Sequence, residues 1–159
     1  SRTIKDLAPA LEAAWEVSPA ILVEHYLRGR EATGGVVDDF RGAEHYALPP
    51  IEIRRPAGKL VWDYHDKYDP ATVEICPAPF PDKIKRQIEE WSVIAHQALG
   101  LRHYSRSDFI LSPQGIYLLE TNSLPGLTSE SLLPKALKAV GCSYSNFLEH
   151  VINLALNKN

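Results

Sequence analysis

The polar side chains between residues 106 and 122, RSDFILSPQGIYLLETN, are the group whose types and spacing could do chemistry. Two apolar-rich runs flank Ser-Pro-Gln-Gly. This is typical of a β-hairpin, because Pro113 presets the turn and Gly115 can adopt a left-handed conformation. A loop of Pro113, Gln114 and Gly115 predicts four cross-strand pairs: Ser112 with Ile116, Ile110 with Leu118, Asp108 with Glu120, and Arg106 with Asn122.

The predicted pairing places two carboxylates opposite each other. Side chains alternate between the faces of a strand, so Arg106, Asp108, Glu120 and Asn122 would share one face, with opposed Cβ atoms about 5 Å apart. The two carboxylates would repel unless a cation lay between them, and a hard divalent ion with oxygen ligands suits this position. Asn122 would add a neutral oxygen, and Arg106 would be free to face an anion bound to the same metal. A plain solvated hairpin face has the same alternation, and the hairpin alone leaves both interpretations open.

The segment after the hairpin, SLPGLTSESLLP from residue 123 to 134, is rich in backbone donors and precedes a predicted helix. Helix N-termini and glycine loops bind anions. A metal-binding hairpin that leads into such a loop indicates a phosphate-handling site.

Arg106-Ser-Asp108-Phe, followed by LLETNSLPGLTSESL over residues 118–132, resembles the C-terminal signature of the D-alanine–D-alanine ligases of the ATP-grasp superfamily. The resemblance covers nearly the whole chain but only part of the enzyme. It implies an α+β fold, the ATP-grasp C-terminal subdomain, with a mainly antiparallel sheet covered by helices. Residues 1–159 would be a partial ATP-grasp domain, without the N-terminal substrate domain and the glycine-rich phosphate loop.

The resemblance implies ATP-dependent ligation of two D-alanine molecules through an acyl phosphate, a step in peptidoglycan precursor synthesis. Asp108, Glu120 and Asn122 would hold two Mg²⁺ ions, with Glu120 bridging them and Mn²⁺ as the alternative metal. Arg106 and the Gly126 amide would stabilise the transferring phosphoryl group and the developing oxyanion. The acceptor carboxylate would be bound at the start of the next helix, by Ser131 and Leu132.

The same resemblance implies the nucleotide contacts. Glu24 and the backbone through Leu27 would bind adenine, Glu31 would accept the ribose hydroxyls, and Lys67 would reach a phosphate. Tyr68 would close the substrate site, and its presence favours an amine-bearing acceptor over the ester-forming relatives. The residues alone leave plainer interpretations: an isolated Glu at a strand end or a Lys on a loop is ordinarily solvated, and Ser131 also suits a helix cap.

Two other functions are alternatives. Another ATP-grasp carboxylate–amine ligase could keep the same hairpin and act on different substrates. A non-catalytic nucleotide-binding or structural module is the second alternative, since the 159 residues taken alone are expected to be inactive.

The composition fits one globular domain. The chain has 159 residues, 45% of them hydrophobic, and a formal net charge of −3, which suits a hydrophobic core and gives no indication of nucleic-acid binding. Apolar runs are too short for a membrane span and the first residues lack a signal-peptide pattern, so a soluble, cytoplasmic protein without a membrane partner is expected. The resemblance also allows a homodimer in the full-length enzyme. Cys76 and Cys142 lie far apart, which favours free thiols.

The hydrophobic periodicity predicts the elements that position these residues. The strongest predicted helix covers residues 82–99, with Asp82 as its cap and Gly100 as its stop, and His96 on it is expected to be a surface or core residue. None of the six histidines shows ligand spacing. The other predicted elements are helices over 4–15, 131–140 and 143–156, strands over 19–27, 31–38, 44–54 and 60–64, and a long loop over 65–81.

Overall fold

An antiparallel β-sheet forms the centre of the computed structural model, which describes residues 4–55 and 72–156. The strands lie in the order β4-β3-β1-β5-β6, and β2 pairs with β1. Every one of these pairings is antiparallel, as predicted. The six strands are β1 (Arg30–Phe40), β2 (Ala43–Ala47), β3 (Ile51–Arg54), β4 (Val73–Ile75), β5 (Tyr104–Ser112) and β6 (Gly115–Asn122).

Helices cover both faces of this sheet. Ile88 of α2 packs with Ala32 and Phe109 on one face, and side chains of α3 and α4 pack with Val37 on the other. Residues 32–37 of β1 are all buried, which is the pattern of a central strand covered on both sides. The predicted α+β class is therefore confirmed. A 3-10 turn (Ile4–Asp6) precedes α1 (Leu7–Trp15), and the other helices are α2 (Asp82–Ala98), α3 (Leu132–Ala139) and α4 (Tyr144–Leu156).

Two of the predicted strands differ from the structure. The buried strand predicted over 19–27 is wrong: residues 21–28 have no regular secondary structure, and Leu22 and Val23 are exposed. The strand predicted over 44–54 is split into β2 and β3, because Pro49 and Pro50 between them lack the amide donors of a ladder. β4 lies inside the segment predicted to be a loop, and the strand predicted over 60–64 falls outside the described residues.

The helices agree better with the sequence. α2 ends as predicted, because Gly100 has a φ of +61° and its N–H donates to the Gln97 carbonyl at 2.9 Å. The predicted cap is wrong: Pro81 is the N-cap residue, and the Asp82 carboxylate pairs with Lys85 at 2.8 Å. No residue of α1 is fully buried, so its amphipathic pattern is not used to fill the core.

Gly34 sets how closely α2 approaches the sheet. A Cβ atom at this position would lie 2.2 Å from Ser92 Oγ and 3.2 Å from Ile88 Cγ2. The Ser92 hydroxyl is fully buried and donates to the Ile88 carbonyl at 2.8 Å. The helix therefore lies directly on the backbone of β1.

Replacing Gly34 with alanine is expected to lower the free energy of unfolding by about 1–3 kcal/mol, because overpacking forces the helix away from the strand. Adding Ser92→Ala removes the atom that clashes, so the double variant should be more stable than the sum of the two single variants predicts. Urea unfolding of the four proteins measures this coupling. Strict additivity would show that the α2 contact does not limit this position.

Glu52 is a buried carboxylate on β3 that pairs with two arginines. Its exposed fraction is 2%, and its oxygens accept hydrogen bonds from Arg30 Nε at 2.7 Å and Arg54 Nε at 2.9 Å. Burial alone would raise the pKa of Glu52, but the hydrogen bonds and charges of Arg30 and Arg54 lower it overall. The Arg30 guanidinium also lies over the Phe80 ring, 4.4 Å from its centroid.

Glu52 should make the fold sensitive to acid. Because its pKa is lower when folded, its contribution to stability is present above the unfolded value of 4.5 and is lost as the pH falls through the folded value. Glu52→Gln should lower the free energy of unfolding at pH 7 by about 2 kcal/mol and flatten its decline in acid. Urea unfolding between pH 7 and pH 3 tests this, with the exposed Glu90→Gln as the control. Equal pH profiles for wild type and Glu52→Gln would contradict it.

No helix within the described ranges combines the length and the apolar character needed to cross a membrane. Cys76 and Cys142 are both free thiols, as predicted. Burial raises the pKa of Cys76 to about 11 and also raises that of Cys142.

Candidate active site

The β5–β6 hairpin places the predicted acids opposite each other. Asp108 pairs with Glu120 and Arg106 pairs with Asn122, as predicted. Direct partners in an antiparallel ladder project to the same face, so these four side chains share one side of the hairpin. The central structural prediction from the sequence is therefore confirmed.

The turn of this hairpin differs from the prediction. Ser112 pairs with Gly115 rather than Ile116, so the loop contains Pro113 and Gln114 only, and Gly115 is the first residue of β6, with a φ of +148°. Ile110 pairs with Tyr117 rather than Leu118. The extra residue, Leu119, lies instead in a β-bulge between the Asp108 and Phe109 pairs. The bulge restores the predicted register at the acids, since it shifts β6 by the one residue that the shorter loop removes.

Arg106 is held by Asp108. Its Nε and Nη2 atoms donate to the two carboxylate oxygens at 2.9 and 2.8 Å, a bidentate pair between residues on one face of β5. Burial alone would lower the pKa of Arg106, but Asp108, followed by Glu120 and Glu74, raises it overall. The guanidinium is thus directed at Asp108, whereas the sequence predicted that it would be free to face an outside anion.

A small cavity adjoins this ion pair. Thr33, Gly35, Arg106, Leu132 and Leu133 are among the residues that line it, so the hairpin meets the start of α3 there. Thr33 is paired with Asp108 across β1 and β5, and its Oγ1 atom is buried without a hydrogen-bond partner among the described residues. Buried hydroxyls nearly always have a partner, and this cavity of about 10 Å³ has room for a water molecule that would supply one. The sequence did not single out Thr33.

The other two oxygen donors are more open. Glu120 is exposed, and Asn122 Oδ1 accepts a hydrogen bond from the Leu124 amide at 2.9 Å. An amide oxygen has two lone pairs, so Asn122 can still offer one to a cation. The same hydrogen bond starts the loop that leads to α3.

That loop brings Gly126 against Ser131. A Cβ atom at Gly126 would lie 2.8 Å from Ser131 Oγ, and this hydroxyl is 2.9 Å from Thr128 Oγ1. Ser131 is the N-cap residue of α3, but its side chain makes no capping hydrogen bond. The first amides of α3, beginning with Leu132, are therefore not capped by Ser131, and donors at this end of a helix favour an anion.

Two charged residues near the site were missed by the sequence analysis. Lys135 of α3 donates to Glu74 of β4 at 2.7 Å and lies 3.7 Å from Glu130. Glu74 also raises the pKa of Arg106. Glu74 lies in the segment predicted to be a loop, and the one signal for Lys135 is its position four residues after Ser131, on the same face of the helix.

Only some of the residues predicted to bind the nucleotide lie in the described part of the chain. Glu31 lies on β1, two positions before Thr33 and so on the same sheet face, and its carboxylate forms an ion pair with Arg55. Glu24 is exposed and Leu27 is half-buried in the segment without regular secondary structure. Lys67 and Tyr68 lie outside the described residues.

The antiparallel sheet with helices on both faces is the ATP-grasp fold, since two solved ligase structures share it with this chain, at TM-scores of 0.80 and 0.81. The acids and the arginine of the β5–β6 hairpin, next to a glycine loop at the start of α3, give this fold its candidate site. The family model described as D-ala D-ala ligase C-terminus matches residues 1–153. The chain belongs to this family.

Individual relatives agree with the family model. The D-alanine–D-alanine ligase of Oleidesulfovibrio alaskensis is 44% identical over 153 residues, which are 95% of this chain and 47% of the relative. That of Syntrophobacter fumaroxidans is 43% identical over 157 residues, which are 98% of this chain and 49% of the relative. The chain thus spans about half the length of these curated relatives.

The solved structures also match nearly the whole of this chain with about half of a longer protein. D-alanyl-alanine synthetase A from Vibrio cholerae has a TM-score of 0.81 and 33% identity, covering 99% of this chain and 48% of that protein. The Bacillus anthracis D-alanine–D-alanine ligase complexed with ATP has a TM-score of 0.80 and 29% identity, covering 97% of this chain and 47% of that protein.

Proposed function

We propose that this chain is the C-terminal half of an ATP-dependent D-alanine–D-alanine ligase and supplies that enzyme's metal, phosphoryl and acceptor sites. The observation that carries the proposal is the direct pairing of Asp108 with Glu120 on the face that also holds Arg106. Such a pairing is unfavourable in a purely structural hairpin and useful at a cation site. The family of the chain and its relatives support the reaction and its substrates.

The donor set fits a hard divalent cation. Carboxylate and amide oxygens from Asp108, Glu120 and Asn122 are the ligands that Mg²⁺ and Mn²⁺ prefer, and the Thr33 hydroxyl, which has no partner in the described part of the chain, lies on the same sheet face. These three residues would hold the metal, which would neutralise charge on the phosphate oxygens. Asp108 would have to exchange its bidentate bond with Arg106 for the metal.

The released Arg106 has a role in the proposed reaction. The carboxylate of the first D-alanine attacks the γ-phosphoryl group of ATP, forming an acyl phosphate and ADP. The amine of the second D-alanine then attacks the acyl carbon, and inorganic phosphate leaves from the tetrahedral intermediate as the amine loses its proton. Negative charge moves among oxygens in both steps, so Arg106 and the Gly126 amide act by placing fixed donors near them.

We assign acceptor binding to the start of α3. Ser131 is buried beside Gly126, and Leu132 lines the cavity that also contains Arg106. The uncapped amides there would bind the acceptor carboxylate. Lys135 lies one turn further along α3, with its charge paired to Glu74.

The nucleotide would be bound further along the chain. Glu24 and the backbone through Leu27 would contact adenine, Lys67 would reach a phosphate and Tyr68 would help to close the substrate site. Glu31 would accept the ribose hydroxyls with the part of its carboxylate that Arg55 leaves available. Because the reaction consumes ATP and makes a cell-wall precursor, we place the full-length enzyme in the cytoplasm, and we keep a homodimer as its proposed assembly.

A second acceptor is favoured by one comparison. The VanG D-Ala:D-Ser ligase from Enterococcus faecalis has a TM-score of 0.80 and 29% identity to this chain, which covers 96% of the chain and 43% of that ligase. D-serine is therefore an alternative acceptor in the same chemistry. The extra hydroxyl of D-serine would be contacted in the acceptor site, and the metal hairpin would have the same role for both acceptors.

Product analysis of the full-length protein tests the proposed function. We expect phosphate release that needs ATP, Mg²⁺ and D-alanine together, with D-alanyl-D-alanine as the product. Competition between D-alanine and D-serine separates the two acceptors. Phosphate release with neither amino acid, but with another amine, would assign a different ATP-grasp ligase.

Calorimetry on the 159-residue chain tests the non-catalytic alternative. Heat with Mg·ATP that is lost in Asp108→Asn supports the proposed metal site. Absence of heat with both nucleotide and metal, in a chain that circular dichroism shows to be folded, would leave only a structural role.

A further inference from the structure

Three metal-ligating side chains meet on the other face of the sheet, against α2. Asp38 of β1, His45 of β2 and His96 of α2 each offer one ligand atom, and these atoms lie within 4.8 Å of one another. Asp38 Oδ1 is 2.8 Å from His45 Nδ1 and 3.1 Å from His96 Nε2. We propose that Asp38, His45 and His96 form a second metal site, separate from the hairpin acids, that binds Zn²⁺.

The spacing of the ligand atoms suits this ion. Neighbouring ligands of tetrahedral zinc, with bonds of about 2.0 Å, lie about 3.3 Å apart, so each Asp38 distance needs to open by at most about 0.5 Å. His45 can make this adjustment because its side chain is 20% exposed and belongs to a short strand whose one partner among the described strands is β1. Two imidazole nitrogens and one carboxylate oxygen are a common zinc donor set, and the fourth position would hold water.

Oxygen or nitrogen partners already hold two of the three ligands. His96 Nδ1 is 2.8 Å from Ser105 Oγ. The second oxygen of Asp38, Oδ2, accepts a hydrogen bond from the His103 amide at 2.5 Å. Metal-bound histidines usually have such a partner on the nitrogen that faces away from the metal, because it fixes the tautomer and the ring orientation.

The Nε2 atom of His96 is the observation that favours a metal over a hydrogen-bonded network. The ring is fully buried, and Nε2 has no hydrogen-bond partner among the described residues. Although Asp38 Oδ1 is 3.1 Å away, this contact does not have hydrogen-bond geometry. If Nδ1–H donates to Ser105, the Nε2 lone pair faces a carboxylate, and two acceptors in contact need a cation between them.

A neutral imidazole with a free lone pair is the form that coordinates zinc. In the competing arrangement, Ser105 donates to Nδ1, Nε2–H points at Asp38, and the cluster gains nothing from a metal.

Titration of the 159-residue chain with Co²⁺, a spectroscopic substitute for Zn²⁺, tests the proposal. We expect the intense visible absorption of tetrahedral Co²⁺ with nitrogen ligands, and its loss when Zn²⁺ is added. The oxygen ligands of the hairpin would give only the weak bands of octahedral Co²⁺. Asp108→Asn should therefore leave the intense bands unchanged, which separates this site from the proposed catalytic metal.

Two variants assign the ligands. His45→Asn changes a partly buried residue of β2, 20% exposed, and should weaken Zn²⁺ binding by a factor on the order of 100, with little change in the circular dichroism spectrum. Ser105→Ala, which changes a residue that only orients His96, should weaken it by about tenfold. His25→Asn, an exposed histidine outside the cluster, is the control. Weak octahedral bands alone, or intense bands that persist in His45→Asn, would overturn the proposal.

Discussion

Replacing Arg106 with alanine in the full-length protein is expected to lower kcat by a factor on the order of 10³, because a fixed cationic donor at a transferring phosphoryl group contributes about this much. The guanidinium lies on the face that holds the paired acids, and its side chain is only 17% exposed, so solvent cannot readily replace it. Phosphate release at saturating ATP and D-alanine measures the change. The control is Arg102→Ala, which removes an exposed arginine just before β5.

A second measurement on the same variant separates catalysis from folding. Because Arg106 occupies both oxygens of Asp108, a metal at Asp108 has to compete with it. Without the guanidinium, the Mg²⁺ affinity of the nucleotide-free protein should rise while turnover falls. A variant that loses both turnover and Mg²⁺ binding would show that Arg106 mainly supports the structure, and near-normal turnover would refute its catalytic assignment.

The hairpin shows which part of a site a sequence can predict. Alternation along a strand and a Pro-Gln-Gly turn are local signals, and they placed Asp108 opposite Glu120 correctly. The predicted loop was one residue too long, and the bulge at Leu119 restored the predicted register at the acids. A three-residue loop, and a two-residue loop followed by a one-residue bulge, give the same strand pairing far from the turn. The sequence therefore cannot distinguish these two hairpins.

Long-range partners were the part that could not be predicted. The Lys135–Glu74 pair joins residues 61 positions apart, and the Asp38, His45 and His96 cluster joins β1, β2 and α2. The histidines were interpreted as structural because they have no short ligand spacing. Only the fold, which lays α2 on β1 at Gly34, brings a histidine of the helix to an aspartate of the strand.

The strand predicted over residues 19–27 is wrong because its apolar residues are exposed. The run over residues 19–27 has the composition of a strand covered on both faces, yet Leu22 is 80% exposed and Tyr26 is 52% exposed. A continuous apolar run indicates that something covers it and does not say what. In the proposed enzyme, these residues belong to the segment that contacts the nucleotide, which gives their apolar character a use outside the sheet.

Glu120→Gln is expected to change activity and stability in opposite directions. Removing one of the metal carboxylates from the full-length protein should lower kcat by a factor on the order of 10³, since a bound metal contributes several kcal/mol to charge stabilisation. Phosphate release across a range of Mg²⁺ concentrations measures the loss, and high Mg²⁺ should restore part of the activity. Glu130→Gln, which changes an exposed glutamate next to Lys135, is the control.

The stability change follows from the same pairing. Asp108 and Glu120 are direct cross-strand partners, and like charges in that position destabilise a ladder by a few tenths of a kcal/mol or more. We expect this repulsion to outweigh the attraction between Glu120 and Arg106, because the guanidinium is already held by both oxygens of Asp108. Without Mg²⁺, urea unfolding of Glu120→Gln should therefore give a free energy of unfolding equal to or above that of the wild type. Added Mg²⁺ should stabilise the wild type more than the variant, because only the wild type keeps both carboxylates. A hairpin selected for stability alone would show the reverse order, with the variant less stable in the absence of metal.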